Sequence, residues 1–227
     1  MTIVKIMFIF LLAVNLQAKN SQWHSLKDVG DYSSKDFNLK KNVAYLEIRQ
    51  YQVDEHNKLK KRSYKTILSL YRTPLKSFNS RQIKRFRKLA PDLSDRGNIR
   101  KSDLENHGVG CYYRYNGFLI DDQGKMFSMN AIEDVIGFLG KIDTAAEAQT
   151  VLWLHDKMAG SSYRKTSWGY DILIEYQETE GDAQVGYCKR YKYKASINRK
   201  GKIIKYKLLK TIHTEERCMH VDWSPCN

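Results

Sequence analysis

Histidines are the residues of this chain best suited to acid–base chemistry, because their ordinary pKa lies near neutral pH. The candidate catalytic residues are His107, His213 and His220, with Asp222 two positions after His220. An acid–base site needs two such groups within hydrogen-bond reach of one substrate. Nothing in the spacing makes any pair converge, so a hydrolytic site is only an alternative prediction. His155 lies on an apolar helical stripe, which is typical of a buried or rim histidine.

Motifs for a nucleophile, a metal or a nucleotide are absent from the sequence. It contains no GxSxG elbow, HExxH zinc motif, P-loop or GxGxxG loop. The DDQG segment at 121–124 is typical of a hairpin turn rather than of a calcium loop. We therefore predict no metal and no cofactor, and a protein without catalytic activity is favoured.

A basic run at 80–88 is the strongest candidate for an anion-binding site. The segment RQIKRFRK contains no acidic residue, and Ile83, Phe86 and Leu89 recur at helical spacing. A helix here would bury that stripe and expose the charges. The predicted anion-binding residues are Arg81, Lys84, Arg85, Arg87 and Lys88. The alternative is a solvated helical face without a partner.

A second basic group lies on the last predicted hairpin. With a tight NRKG turn, Lys192 opposes Lys207 and Lys194 opposes Lys205 on the outward face. Like charges placed directly opposite destabilise a hairpin, so an anionic ligand or nearby carboxylates must offset them. The candidate carboxylates are Asp171 and Glu175. The interleaved tyrosines fall on the core-facing side, which argues against a stacking platform for nucleic acid.

The composition is that of a folded, strongly basic and exported chain. Of 227 residues, 39 are Lys or Arg and 25 are Asp or Glu, giving a formal net charge of +14. The apolar fraction of 42% is too high for a disordered chain. Lys5, an apolar run at 6–14 and Ala18 have the layout of a secretory signal peptide. We predict a cleaved signal at 1–18, a periplasmic or extracellular location, and no transmembrane segment in the mature chain.

Four cysteines occur in the predicted mature chain, at positions 111, 188, 218 and 226. An even number in an exported protein predicts two disulfides, with three possible pairings. A zinc site would need a close pair such as CxxC, which the sequence lacks. By strand register Cys188 lies near residue 211, so Cys218 is its nearest partner along the chain, and Cys111 is left with Cys226.

The first half of the mature chain is predicted to form a lobe at 19–91. It contains strands at 43–53 and 64–72, followed by the basic helix. A polar connector at 92–110 separates this hairpin–helix lobe from the rest of the chain.

The second half, at 111–227, is predicted to form an α+β domain. A Thr144–Glu147 capping box begins a helix at 145–158. Three strands follow, at 170–178, 185–197 and 202–213. We expect the helix to pack on this antiparallel meander, in the style of a cystatin-like or NTF2-like fold.

Two segments of the second half also resemble a known group of sequences. They are YNGFLIDDQGKMFSM, with its hairpin at 117–121, and LGKIDTAAEAQTVLWL, with its helix start at 142–148. Over roughly residues 111–218 the chain resembles uncharacterised exported bacterial proteins. The resemblance implies a fold and an exported location, but no activity.

The sequence therefore predicts an exported, non-enzymatic binding protein of the bacterial envelope. Its predicted partner is an anionic envelope component or an acidic protein. The alternative is a secreted basic hydrolase, similar to a phosphodiesterase or nuclease, that uses His and Lys. Nucleic acid is an expected partner only under that alternative.

Overall fold

Ten β-strands and three α-helices form the regular structure of the chain where it is described. The computed structural model describes residues 22–40, 42–54, 56, 58–93, 100–103, 112–155, 157, 160–180 and 187–217. The strands are β1 (His24–Ser25), β2 (Val43–Val53), β3 (Leu59–Tyr71), β4 (Arg100–Asp103), β5 (Tyr112–Asp121), β6 (Met126–Met129), β7 (Gly160–Lys165), β8 (Gly169–Glu180), β9 (Tyr187–Asn198) and β10 (Ile203–Arg217). The helices are α1 (Ser80–Arg87), α2 (Ile132–Leu139) and α3 (Ala145–Leu154).

The first sheet has the strand order β1-β7-β8-β9-β10 and is antiparallel throughout. The three C-terminal strands predicted from the sequence are confirmed as β8, β9 and β10. Alternate residues of β8 and β9 are fully buried on one face, namely Ile172, Ile174, Ala195 and Ile197. Strands β7 and β1 were not predicted, and they extend the sheet on the side away from β10.

The second sheet has the order β3-β2-β5-β4, and β6 pairs with the same side of β5 as β4 does. Its central strand β2 is buried along most of its length. Leu46 and Ile48 belong to the main hydrophobic core, whereas Tyr45 and Tyr51 belong to a smaller second core. Both faces of β2 are therefore covered, which explains its nearly continuous run of buried residues.

Helix α3 lies between the two sheets. The main core joins Val151 and Leu152 of α3 to Ile48 of the second sheet and to Ile172 of the first. The polar residues of α3 are buried as well, because Glu147, Gln149 and Thr150 are each 0% exposed. The helix thus forms a central layer that both sheets share.

The predicted fold class, α+β with a C-terminal helix on a meander, is wrong. The fold is mostly β and consists of two antiparallel sheets. The capping box at Thr144 confirms the predicted helix start, but α3 ends at Leu154. The single apolar stripe of α3 predicted that other elements would cover only one face of this helix. The polar positions are nevertheless buried, and they form hydrogen bonds there, such as Thr150 Oγ1–H to Ala146 O at 2.8 Å.

Helix α1 covers the opposite face of the second sheet. Asn79 caps its N-terminus and forms a capping box with Gln82. Phe86 is fully buried and packs edge-on against the rings of Tyr45 and Phe118. The predicted helix and its apolar stripe are confirmed. The main core contains residues from both sides of the predicted connector, and the domain boundaries stay a prediction.

Candidate binding surfaces

Helix α1 exposes all five residues predicted to bind an anion, which are Arg81, Lys84, Arg85, Arg87 and Lys88. None of them forms an ion pair with another described residue. Three of them lie in the last turn of the helix, where cations complement the partial negative charge of the helix C-terminus. The basic face therefore has a structural role of its own, and anion binding at it stays a prediction.

The predicted catalytic and disulfide residues have no described side chains. His107, Cys111, Cys218, His220, Asp222 and Cys226 lie outside the described residues. His213 and Cys188 lie in β10 and β9, but their side chains are likewise not described. His155 is half-buried at the end of α3, as the apolar stripe indicated. Within the described ranges, no three His, Cys, Asp or Glu side chains are grouped to hold a metal ion.

Strand β10 forms one edge of the first sheet and carries an unusual amount of exposed apolar surface. Among the described residues it pairs only with β9. Five of its large apolar side chains are exposed, namely Ile204 (51%), Tyr206 (38%), Leu208 (43%), Leu209 (47%) and Ile212 (37%). Elsewhere in the described ranges only Leu59, Tyr71 and Trp168 are exposed to this extent. Sequence reasoning missed this surface, although apolar residues at both odd and even positions of β10 were a signal for it.

The lysines of β10 occupy the outward face in a register that differs from the predicted one. Lys207 lies opposite Lys194, and Lys210 lies opposite Lys192. The predicted pairs Lys192–Lys207 and Lys194–Lys205 are wrong. Four residues (199–202) connect the two strands, with Gly201 at φ +75°, and irregularities in β10 shift the register further. Glu175 binds Lys192 at 2.8 Å, as expected for an offsetting carboxylate.

A ladder of tyrosines lies on the other face of the same three strands. The rings of Tyr176 and Tyr191 stack with centroids 6.0 Å apart, and those of Tyr193 and Tyr206 stack at 5.2 Å. Tyr176, Tyr191 and Tyr193 are half-buried, which agrees with their predicted core-facing orientation. Tyr206 ends the ladder at the exposed edge. The ladder thus places stacked aromatic rings next to β10 on the inner face of the sheet.

Asp171 lies on the outward face of the first sheet, yet its side chain is buried and has three polar partners. Its carboxylate accepts hydrogen bonds from Arg164 Nη2 at 2.6 Å and from Ser196 Oγ at 2.7 Å. Lys194 Nζ lies 3.5 Å away. Burial by itself would raise the pKa of Asp171, but the hydrogen bonds from Arg164 and Ser196 and the charge of Lys194 lower it below its ordinary value. Asp171 therefore stabilises the fold in its ionised form.

Replacing Asp171 with asparagine is expected to lower the free energy of unfolding by about 1–3 kcal/mol at neutral pH. Because the pKa is lower in the folded state, this contribution is complete above the unfolded-state pKa of about 4 and is lost as the pH falls through the folded pKa. Urea unfolding across the acid range should therefore show the wild type and Asp171→Asn converging at low pH. Glu175→Gln is the matched control, since its exposed ion pair should contribute at most about 1 kcal/mol. A constant difference between wild type and Asp171→Asn at every pH would contradict the prediction.

A basic cleft of about 840 Å³ lies beside the turn between β9 and β10. Its cationic lining residues are Lys40, Lys141, Arg199, Lys200 and Lys202. His155 also lines it, and Glu133 is the acidic residue of the lining. These residues are up to 162 positions apart in the sequence, from Lys40 to Lys202, so no local pattern could have grouped them. The NRKG motif was predicted only as a turn.

Comparison with family models, with curated proteins and with solved structures gave no match. The resemblance carried by residues 117–121 and 142–148 therefore stays a prediction. Among the helices of the described ranges, none has the length and apolar character that crossing a bilayer requires.

Proposed function

We propose that this chain is an exported, non-enzymatic binding protein that holds an acidic, extended segment of a partner protein along β10. The observation that supports the proposal most directly is the exposed apolar row on an edge strand of 15 residues. An edge strand offers backbone N–H and C=O groups to an added strand, and alternate side chains then give specificity. The signal layout at 1–18 supports an extracytoplasmic partner.

The apolar side chains of β10 supply contact area for such a segment. Ile204 and Leu209 lie at irregularities in the pairing with β9, and both are about half exposed. Tyr206 and Leu208 lie opposite Ala195 and Tyr193, and they continue the inner face of the sheet beyond its buried part. An added strand would cover this surface and remove it from water.

The charges of β10 favour an acidic partner. Lys205, Lys207 and Lys210 are exposed on the outward face of the strand. A second copy pairing antiparallel with β10 would place lysines near lysines, which is destabilising. A strand with alternating acidic and apolar residues would match both faces of β10. The lysines thus select for the partner and also discourage edge-to-edge association of this chain.

Helix α1 has the charge for an anionic partner but lacks the apolar component. Its largest apolar residue, Phe86, is fully buried. The alternative function, a secreted hydrolase, depends on His107, His213, His220 and Asp222, and it stays a prediction because none of these side chains is described.

A synthetic peptide of alternating Glu and Val is expected to bind the wild-type protein in a fluorescence polarisation assay. The variant with Lys205, Lys207 and Lys210 replaced by Glu should bind it at least about tenfold more weakly, and should instead bind a Lys–Val peptide. The matched control reverses three exposed lysines elsewhere, Lys35, Lys65 and Lys76, and should keep its affinity for the Glu–Val peptide. Circular dichroism confirms that each variant is folded.

A third peptide tests the role of the backbone. Methylation of alternate amides along one edge of the Glu–Val peptide removes its strand-pairing donors and should abolish binding. The proposal is overturned if the methylated peptide binds equally well, or if neutralising Arg81, Lys84 and Arg85 of α1 abolishes binding while the β10 variant retains it. A wild-type dimer that dissociates when β10 is altered would also overturn it.

A further inference from the structure

We infer that the basic cleft beside the β9–β10 turn is a second binding site, which takes a phosphate monoester carried on an apolar body. This site is separate from β10 and extends beyond the proposed function. Its volume of about 840 Å³ lies in the range of small-molecule sites in proteins. The site combines a rigid cationic turn, cations without an ion-pair partner among the described residues, and an uncharged wall.

The turn that carries three of the cations is held rigidly. Asn198 Oδ1 accepts hydrogen bonds from the backbone N–H groups of Lys200 at 2.9 Å and Lys202 at 3.0 Å. Arg199 donates its N–H to Trp168 O at 3.2 Å, and its carbonyl accepts from Ile142 N at 2.9 Å. The backbone beneath these side chains is therefore fixed before a ligand arrives, which lowers the entropic cost of binding.

Close packing fixes the other side of the cleft. Gly201 is buried with φ +75°, and a Cβ at this position would lie 2.5 Å from Ile136 Cγ2. Gly140, with φ +82°, lies against the stem of Lys40, whose Cγ is 3.0 Å from the position a Cβ would take. The two glycines thus allow the turn and the Lys40 stem to approach the end of α2.

Within the described residues, most of the cations that line the cleft form no ion pair. Lys141 forms an ion pair with Asp143 at 3.2 Å. Lys40, Arg199, Lys200 and Lys202 form no ion pair with any residue in the described part of the chain. All four are exposed, so an incoming anion would neutralise charges that now repel one another.

The cleft combines a guanidinium, several ammonium groups and an uncharged wall. This combination favours a phosphate ester over a simple carboxylate or a neutral ligand. A guanidinium binds two phosphate oxygens at once, and ammonium groups add point charges around the third. Ile136 and the glycine backbones at 137, 140 and 201 supply an uncharged wall beside the cations. This wall would accommodate the body that carries the phosphate, whether the ester is a soluble metabolite or a lipid headgroup.

Isothermal titration calorimetry with 1-naphthyl phosphate, which combines a phosphate with an apolar ring, tests the site. The wild type should bind 1-naphthyl phosphate more tightly than inorganic phosphate, and should not bind 1-naphthol. The variant with Arg199, Lys200 and Lys202 replaced by Gln should lose affinity by about tenfold or more. Replacing Lys35, Lys65 and Lys76 by Gln removes the same net charge from residues outside the lining of the cleft, and should leave the affinity within about twofold once the salt concentration is near 0.15 M.

Flotation with phosphatidylcholine vesicles, with and without phosphatidic acid, separates the two sources of the phosphate. Flotation that depends on phosphatidic acid and is lost in the cleft variant identifies a lipid headgroup, whereas binding of 1-naphthyl phosphate alone identifies a soluble ester. The inference is overturned if wild type binds neither probe, or if both triple variants lose affinity equally. It is also overturned if the Lys205, Lys207 and Lys210 variant loses phosphate binding while the cleft variant keeps it.

Discussion

Replacing Arg49 with methionine is expected to lower the free energy of unfolding by about 3–5 kcal/mol, because it leaves a buried carboxylate without its partner. Arg49 is 0% exposed, and its Nε donates to Glu47 Oε1 at 2.8 Å. Glu47 is also buried, at 4% exposure, and accepts further hydrogen bonds from Tyr45 Oη at 2.9 Å and Thr66 Oγ1 at 3.1 Å. Removing the guanidinium therefore leaves the Glu47 carboxylate with neutral hydrogen-bond donors but without the cation that balances its charge.

Arg49 of the second sheet also forms a hydrogen bond to helix α1. Its Nη2 donates to Phe86 O at 3.2 Å, at the C-terminal end of α1. Its guanidinium carbon lies 4.2 Å from the centroid of the Tyr64 ring and 4.3 Å from that of Phe118, within the range of cation–π attraction. Arg49→Met should therefore speed amide hydrogen exchange in α1 more than in the first sheet.

Urea unfolding followed by circular dichroism measures the loss of stability. The double variant Glu47→Leu with Arg49→Met should be more stable than the sum of the single losses implies, because it leaves no lone buried charge. The control, Lys65→Met on the exposed surface of β3, should change stability by no more than about 0.5 kcal/mol. Additive losses in the double variant, or a loss below about 1 kcal/mol for Arg49→Met, would contradict this account of the pair.

The second large effect is expected at Glu147, where Glu147→Gln should cost about 2–4 kcal/mol of stability. Glu147 is 0% exposed. Its Oε2 accepts from the N–H groups of Asp143 at 2.7 Å and Thr144 at 3.0 Å, and its Oε1 accepts from Asn38 N at 2.7 Å. A glutamine presents an NH₂ group to one set of these donors and cannot satisfy both sets.

The Asn38 hydrogen bond gives this variant a local readout. It ties the N-terminal arm, residues 22–40, to the start of α3, so Glu147→Gln should also expose the arm to limited proteolysis. Thr144→Ala removes only the reciprocal side of the capping box and should cost about 1 kcal/mol. Equal costs for the two variants, with an unchanged cleavage rate in the arm, would show that Glu147 acts only as a helix cap.

Local patterns predicted the helices and the long strands, whose signals lie within a few residues of one another, but missed the short strands β1, β4 and β7. The Asn79 cap and the Phe86 stripe located α1, and Thr144 with Glu147 located the start of α3. The arrangement of the elements could not be predicted in this way. Strand β2 pairs with β5, as in Arg49↔Asn116, across the segment that composition had marked as a connector. Such long-range pairing has no signature in the pattern of either strand.

The candidate sites differ in the same way, because one is formed by neighbours in the sequence and the other by distant residues. The basic face of α1 could be predicted because Arg81, Lys84 and Arg85 are neighbours in the sequence. The cleft could not, since Lys40 and Arg199 meet only after the N-terminal arm and the β9–β10 turn converge on α2. The register of β10 was missed because the connection at 199–202 is longer than the tight turn that was predicted and the strand contains irregularities, features that NRKG alone does not specify.

The N-terminal arm also constrains the order in which the chain assembles. Its backbone is fixed by groups that come far later, as in Asn38 to Glu147, 109 residues further along, and in the pairing of His24 with Tyr163. A chain that emerges with its N-terminus first during synthesis presents this arm long before its anchors exist. Closing such long loops costs entropy before any contact offsets it. The first described residues of the chain should therefore be among the last to dock, and protease resistance should appear only after β7 has emerged.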